Sequence, residues 1–96
     1  MKTDTITLQS PAPGTQQTLQ VQRFGQPGAR PKVYIQGALH ADEVPAILVT
    51  QQLSRLLSDL EAENAILGEV VLVPFANPIG LAQQPLGQHQ GRFDLR

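Results

Sequence analysis

A chain of 96 residues has room for one small domain with a modest core and little for a second module. Its net charge of -1 and its 16% of charged residues give no basic surface for nucleic acid or an anionic membrane. The lack of cysteine excludes disulfides, thiolate metal sites and a cysteine nucleophile together. Met1-Lys2-Thr3-Asp4-Thr5-Ile6 is no signal peptide, and no stretch is long and apolar enough to span a bilayer, so a cytoplasmic location is expected.

Residues 5–9 alternate weakly and suit a short edge strand. Ser10-Pro11-Ala12-Pro13-Gly14-Thr15 has the composition of a turn. Residues 18–24 set Leu19 and Val21 against Gln20 and Gln22, the alternation of a half-buried strand. Gly25-Gln26-Pro27-Gly28 breaks that strand and predicts a hairpin into the next. Lys32-Val33-Tyr34-Ile35-Gln36 is short, β-branched and aromatic, and reads as a strand.

After a tight loop at Gly37, a helix is expected to begin with Asp42 as N-cap. Glu43 then stands in the first turn, at the positive helix end, and Pro45 is tolerated beside it. Val44, Ile47, Leu48, Leu53, Leu56, Leu57 and Leu60 recur at helical spacing to about residues 59–63. Residues 70–75 are apolar on both parities, as in a strand buried on both faces, and Pro74 removes one ladder donor. The stretch 81–96 is rich in Gln, Gly and Pro without a period and is expected to be an irregular tail.

Strand, helix and strand at this length form a βαβ unit with parallel strands and a right-handed crossover. The fold class is therefore α/β. The loops after the two parallel strands share one carboxyl edge, where α/β proteins place ligands. The first loop carries His40 and Glu43 and the second carries Asn77-Pro78-Ile79-Gly80. With two residues between them, the imidazole and the carboxylate can face one cation, and zinc takes such donors at about 2.0–2.2 Å. The plainer alternative is an exposed His and a Glu that serves only the helix dipole. Asp42 is read as the helix cap, with a supporting bond to a metal ligand as its alternative. His89 lies between glutamines with no element to aim it, and is read as solvent-exposed. Asn77 either binds substrate or shapes the turn after its strand. Arg92 and Arg96 are candidates for a two-point pairing with a substrate carboxylate, with a solvated tail as the alternative and the favoured reading for Arg96.

Three motifs stand in register: Tyr34-Ile35-Gln36-Gly37-Ala38-Leu39-His40-Ala41-Asp42-Glu43, Val73-Pro74-Phe75-Ala76-Asn77-Pro78-Ile79-Gly80-Leu81-Ala82-Gln83 and Gly91-Arg92-Phe93-Asp94. From about Lys32 to the end the chain resembles the succinylglutamate desuccinylase/aspartoacylase family, within the zinc carboxypeptidase superfamily. The resemblance implies a zinc-dependent hydrolase of amide bonds, with His40 and Glu43 as the first two ligands of one zinc ion. It implies a small N-acyl amino acid or peptide-like substrate, and a mixed β-sheet in which the strands near Lys32–Gln36 and residues 69–75 lie side by side.

The departures from the family are as informative as the matches. Its chains are several times longer, and its third ligand, general base and Asn-Arg pair come later than this sequence reaches. The chain therefore reads as a single partial domain over 1–96, the N-terminal portion of a zinc-carboxypeptidase-like fold, and as inactive alone. An unpaired edge on the strand near Lys32–Gln36 would favour self-association. The alternative is a non-catalytic α/β interaction module, or one half of a split enzyme, on the same scaffold.

Overall fold

The computed structural model describes residues 1–10, 12–40 and 43–82. In chain order the elements are β1 (Lys2–Thr7), β2 (Thr18–Gly25), β3 (Lys32–Gln36), α1 (Val44–Ala62), β4 (Glu69–Val73) and α2 (Pro78–Ala82). The strands form one mixed sheet in the order β1-β2-β4-β3. β2 is antiparallel to both β1 and β4, whereas β3 and β4 are parallel. The α/β class and the parallel β3-α1-β4 unit match the reading of the sequence.

The position of β4 follows from its side chains. Leu72 on one face packs with Phe24 and Leu57, and Val71 and Val73 on the other pack with Val21. Leu72 is wholly buried and Phe24 nearly so. A strand that is apolar on both faces gains most from a central place, where burying each such side chain stabilises by about 1.5–3 kcal/mol. The expected hairpin from β2 to β3 therefore does not form: β4 takes the place between them. The more polar β3 is left at the edge, with Val33 and Tyr34 exposed.

Several boundaries also differ from expectation. β1 starts at Lys2, because all six of its residues find partners in β2, from Lys2↔Arg23 to Thr7↔Thr18. β4 stops at Val73, since Pro74 has no N–H to continue the ladder. Leu81 and Ala82, expected in the irregular tail, close α2, because Pro78 opens that helix and the Leu81 N–H donates to the Asn77 carbonyl. The rest of the tail lies outside the described residues. Among the described residues, no helix is long and apolar enough to cross a membrane.

Two close approaches of backbone hold the layers together. Gly25, at φ +88°, brings its strand end within reach of the next connection: a Cβ there would sit 2.2 Å from the Gly68 carbonyl oxygen. The Gln26 N–H donates to that same oxygen at 2.9 Å. At the opposite end of the sheet, a Cβ on the buried Gly37 would lie 2.6 Å from Cγ2 of Thr50 in α1. Thr50 is itself 3% exposed, with its hydroxyl donating to the Ile47 carbonyl. Glycine at position 37 is thus what lets α1 lie against the β3 loop.

Near the C-terminal end of α1, Glu61 accepts from the Gly25 N–H at 2.7 Å and pairs with the Met1 ammonium. The bond from the N-terminal ammonium, then the one from the Gly25 N–H, hold its carboxyl below the ordinary range. A depressed carboxylate contributes stability that is complete above its ordinary pKa and lost as pH falls through the folded value. Glu61→Gln should therefore lower the melting temperature at pH 7. The gap to wild type should close as melts are taken at successively lower pH, below the ordinary carboxylate range. A gap that persists unchanged at low pH would count against this ion pair. Gly37→Ala should cost about 1–3 kcal/mol in urea unfolding, the usual penalty of overpacking. Adding Thr50→Ser, which removes Cγ2 and keeps the hydroxyl, should restore part of that loss.

Candidate functional site

The carboxyl ends of β3 and β4 are joined beyond the strands themselves. The Gly37 N–H donates to the Val73 carbonyl at 2.9 Å, and the Ala76 N–H donates back to the Gly37 carbonyl at 2.8 Å. Next comes Ala38, buried and at φ 58°, a left-handed conformation that a residue with a Cβ rarely adopts. The reversal at Ala38 sends the chain through Leu39 to His40, above the sheet edge. The two polar loops therefore meet in one place, as the parallel strands predict.

His40 and Glu43 face each other across one turn. Nδ1 of His40 lies 3.3 Å from Oε1 of Glu43, and the Glu43 N–H donates to the His40 carbonyl at 3.0 Å. The imidazole is 28% exposed and the carboxylate 55%, so solvent and a solute can reach both. Two donors bound to one tetrahedral zinc at about 2.0–2.2 Å are separated by about 3.3–3.6 Å. The separation of this pair is a hydrogen-bond contact that also matches the spacing of two donors on one zinc, and the donor types suit that ion. Among the described residues, no group of three His, Cys, Asp or Glu side chains gathers to hold a metal.

The start of α1 differs from the expected cap. Glu43, not Asp42, occupies the N-cap position, with φ -90° and ψ 71°, and its side chain makes no cap bond. The helix begins at Val44, so Glu43 precedes the first turn in which it was expected. Asp42 precedes the cap position and lies outside the described residues, as do His89, Arg92 and Arg96.

Asn77 is 4% exposed and bridges the two loops. Its Nδ2 donates to the Leu39 carbonyl at 3.1 Å, and its Oδ1 accepts from the Gly80 N–H at 3.0 Å. These partners fix the amide orientation, because a carbonyl can only accept and an N–H can only donate. The Oδ1 bond belongs to the turn after β4, and the Nδ2 bond crosses to the loop that carries His40. The link to Leu39 went unread in the sequence, since 38 positions separate the partners.

Comparison with known proteins agrees with this architecture. The profile of the Succinylglutamate desuccinylase/Aspartoacylase catalytic domain matches residues 29–94. A crystal structure described as a succinylglutamate desuccinylase/aspartoacylase family protein from Shewanella amazonensis SB2B is 36% identical, with a TM-score of 0.73 over 99% of this chain. A second, described in the same terms and from Shewanella frigidimarina NCIMB 400, is 30% identical, with a TM-score of 0.70 over 98% of the chain. The chain spans 25% and 24% of the lengths of those two proteins. A search of curated proteins found no match. With more than half of its residues inside the catalytic-domain profile and this fold behind them, the chain belongs to the succinylglutamate desuccinylase/aspartoacylase family.

Proposed function

We propose that these residues serve a zinc-dependent hydrolase of amide bonds, in which His40 and Glu43 are two ligands of one zinc ion. The substrate is a small N-acyl amino acid or a similar peptide-like amide, and the location is cytoplasmic. The observation that carries this reading is the 3.3 Å approach of Nδ1 of His40 to Oε1 of Glu43 at the carboxyl edge of two parallel strands. Bound zinc supplies Lewis-acid polarisation of the scissile carbonyl and a water activated for attack. His40 and Glu43 would hold the ion, and Arg92 is the residue assigned to pairing with the substrate carboxylate. On that reading the described residues supply two ligands and no positioned base, so the 96-residue chain binds zinc weakly and does not hydrolyse amides at an enzyme's rate.

Titration of the chain with Zn²⁺, followed by NMR at the His40 ring, tests the ligand assignment. Saturable shifts at His40 are expected, with affinity falling more than about tenfold in Glu43→Ala, at least the loss typical of an outer-shell partner. A His40 ring that does not respond to Zn²⁺ would sink the metal reading. Rapid release of acetate from N-acetyl amino acids by this chain would instead refute the absence of a base.

The exposed edge of β3 supports a second reading, an interaction module or half of a split enzyme that pairs through that edge. Val33 is 44% exposed and Tyr34 60%, on a strand hydrogen-bonded on one side to β4. Unpaired edge groups beside apolar side chains favour strand addition by another chain. Sedimentation velocity should show association that grows with concentration and recedes in Tyr34→Lys, which places a charge on the edge. A monomer at every concentration removes this reading.

A further inference from the structure

Asn77 stands outside the chemistry proposed for His40 and Glu43, yet it is the described side chain that spans the two loops. It is buried to 4% exposure, and its Nδ2 reaches the Leu39 carbonyl, one residue before His40. Among the described residues, main-chain bonds tie this loop to the sheet at Gly37, through Val73 and Ala76, and tie His40 to the helix start through the Glu43 N–H. Beyond Gly37 the chain passes through left-handed Ala38, a conformation disfavoured for a residue with a Cβ. Between those two anchors, the Asn77 bond to the Leu39 carbonyl is the described tie from the His40 loop back to the loop after β4.

We propose that Asn77 is a positioning residue for His40. Its carboxamide clamps the Leu39 carbonyl, so the imidazole is held 3.3 Å from the Glu43 carboxylate before any ion arrives. This rests on the reading of His40 and Glu43 as metal ligands. The bond from Oδ1 to the Gly80 N–H anchors the clamp at the start of α2. The described bonds thus give the amide separable duties, an acceptor duty toward α2 and a donor duty toward the His40 loop.

Substitution separates the two. Asn77→Asp keeps an oxygen for the Gly80 N–H, and aspartate caps helices as well as asparagine does. It removes the donor and sets a carboxylate oxygen against the Leu39 carbonyl. Asn77→Ser, an uncharged capping residue too short to reach Leu39, covers the case in which a buried carboxylate unfolds the chain. Both are compared with wild type by far-UV circular dichroism, by amide hydrogen exchange at residues 38–40, and by Zn²⁺ titration at the His40 ring. In the folded variant, exchange in the loop should rise and zinc affinity should fall about tenfold, as when an outer-shell partner of a metal ligand is lost. A role confined to capping α2 predicts wild-type exchange and wild-type affinity in either folded variant, and that result overturns the proposal while leaving the ligand assignment intact. A wild-type chain whose zinc titration is indistinguishable from that of His40→Ala overturns both, because it leaves nothing for Asn77 to position.

Discussion

The parallel pairing of β3 with β4, carried past the strand ends, is the constraint on which the site depends. Gly37 donates to Val73 and accepts from Ala76, so the first loop leaves the sheet already bound to the second. This is possible because position 37 has no Cβ and Thr50 of α1 can close beneath it. His40 therefore inherits its place from β4, whose Leu72 is wholly buried. Interiors are close-packed and resist small displacements. A polar pair hung from such a strand is better fixed than its exposure alone suggests.

Much of this was legible in the sequence because it rests on local pattern. The two-parity apolar run in β4 pointed to a strand covered on both faces, and a strand followed by a helix and another strand pointed to parallel neighbours. Convergence of the two loops followed from topology alone. What failed was the hairpin after β2. Gly25-Gln26-Pro27-Gly28 states that the chain turns, but not which strand waits beside β2. That outcome was a competition between β3 and β4 for one place, and the strand with more apolar surface to hide took it. Asn77 was ambiguous for a related reason. Its partner Leu39 lies on the other loop, and no local signal encodes that bond.

Backbone strain sits beside the candidate ligands and is offset by their neighbours. Ala38 at φ 58° costs about 1–2 kcal/mol relative to a right-handed conformation. Such a residue persists only where its surroundings over-determine it. Here the main chain is tied on both flanks, at Gly37 by β4 and its loop and at Leu39 by Asn77. The reversal at Ala38 is what turns the chain from the sheet plane toward His40, so the strain lies on the path that aims the imidazole.

The start of α1 completes the arrangement. A residue at an N-cap ordinarily accepts the N–H of the second or third helical residue through its side chain. Glu43 occupies that position and makes no such bond, while its carboxylate lies 3.3 Å from the His40 imidazole. Pro45, the second helical residue, has no N–H, so one of the donors a cap would satisfy is missing from the outset. Proline thereby lowers the cost of leaving the helix end without a side-chain cap. It allows a carboxylate at the positive end of a 19-residue helix to turn toward the histidine. Asp42 looked like the better cap by propensity, but a helix begun there would have drawn Glu43 into the first turn. Beginning at Val44 keeps Glu43 in the loop, where it stands beside His40.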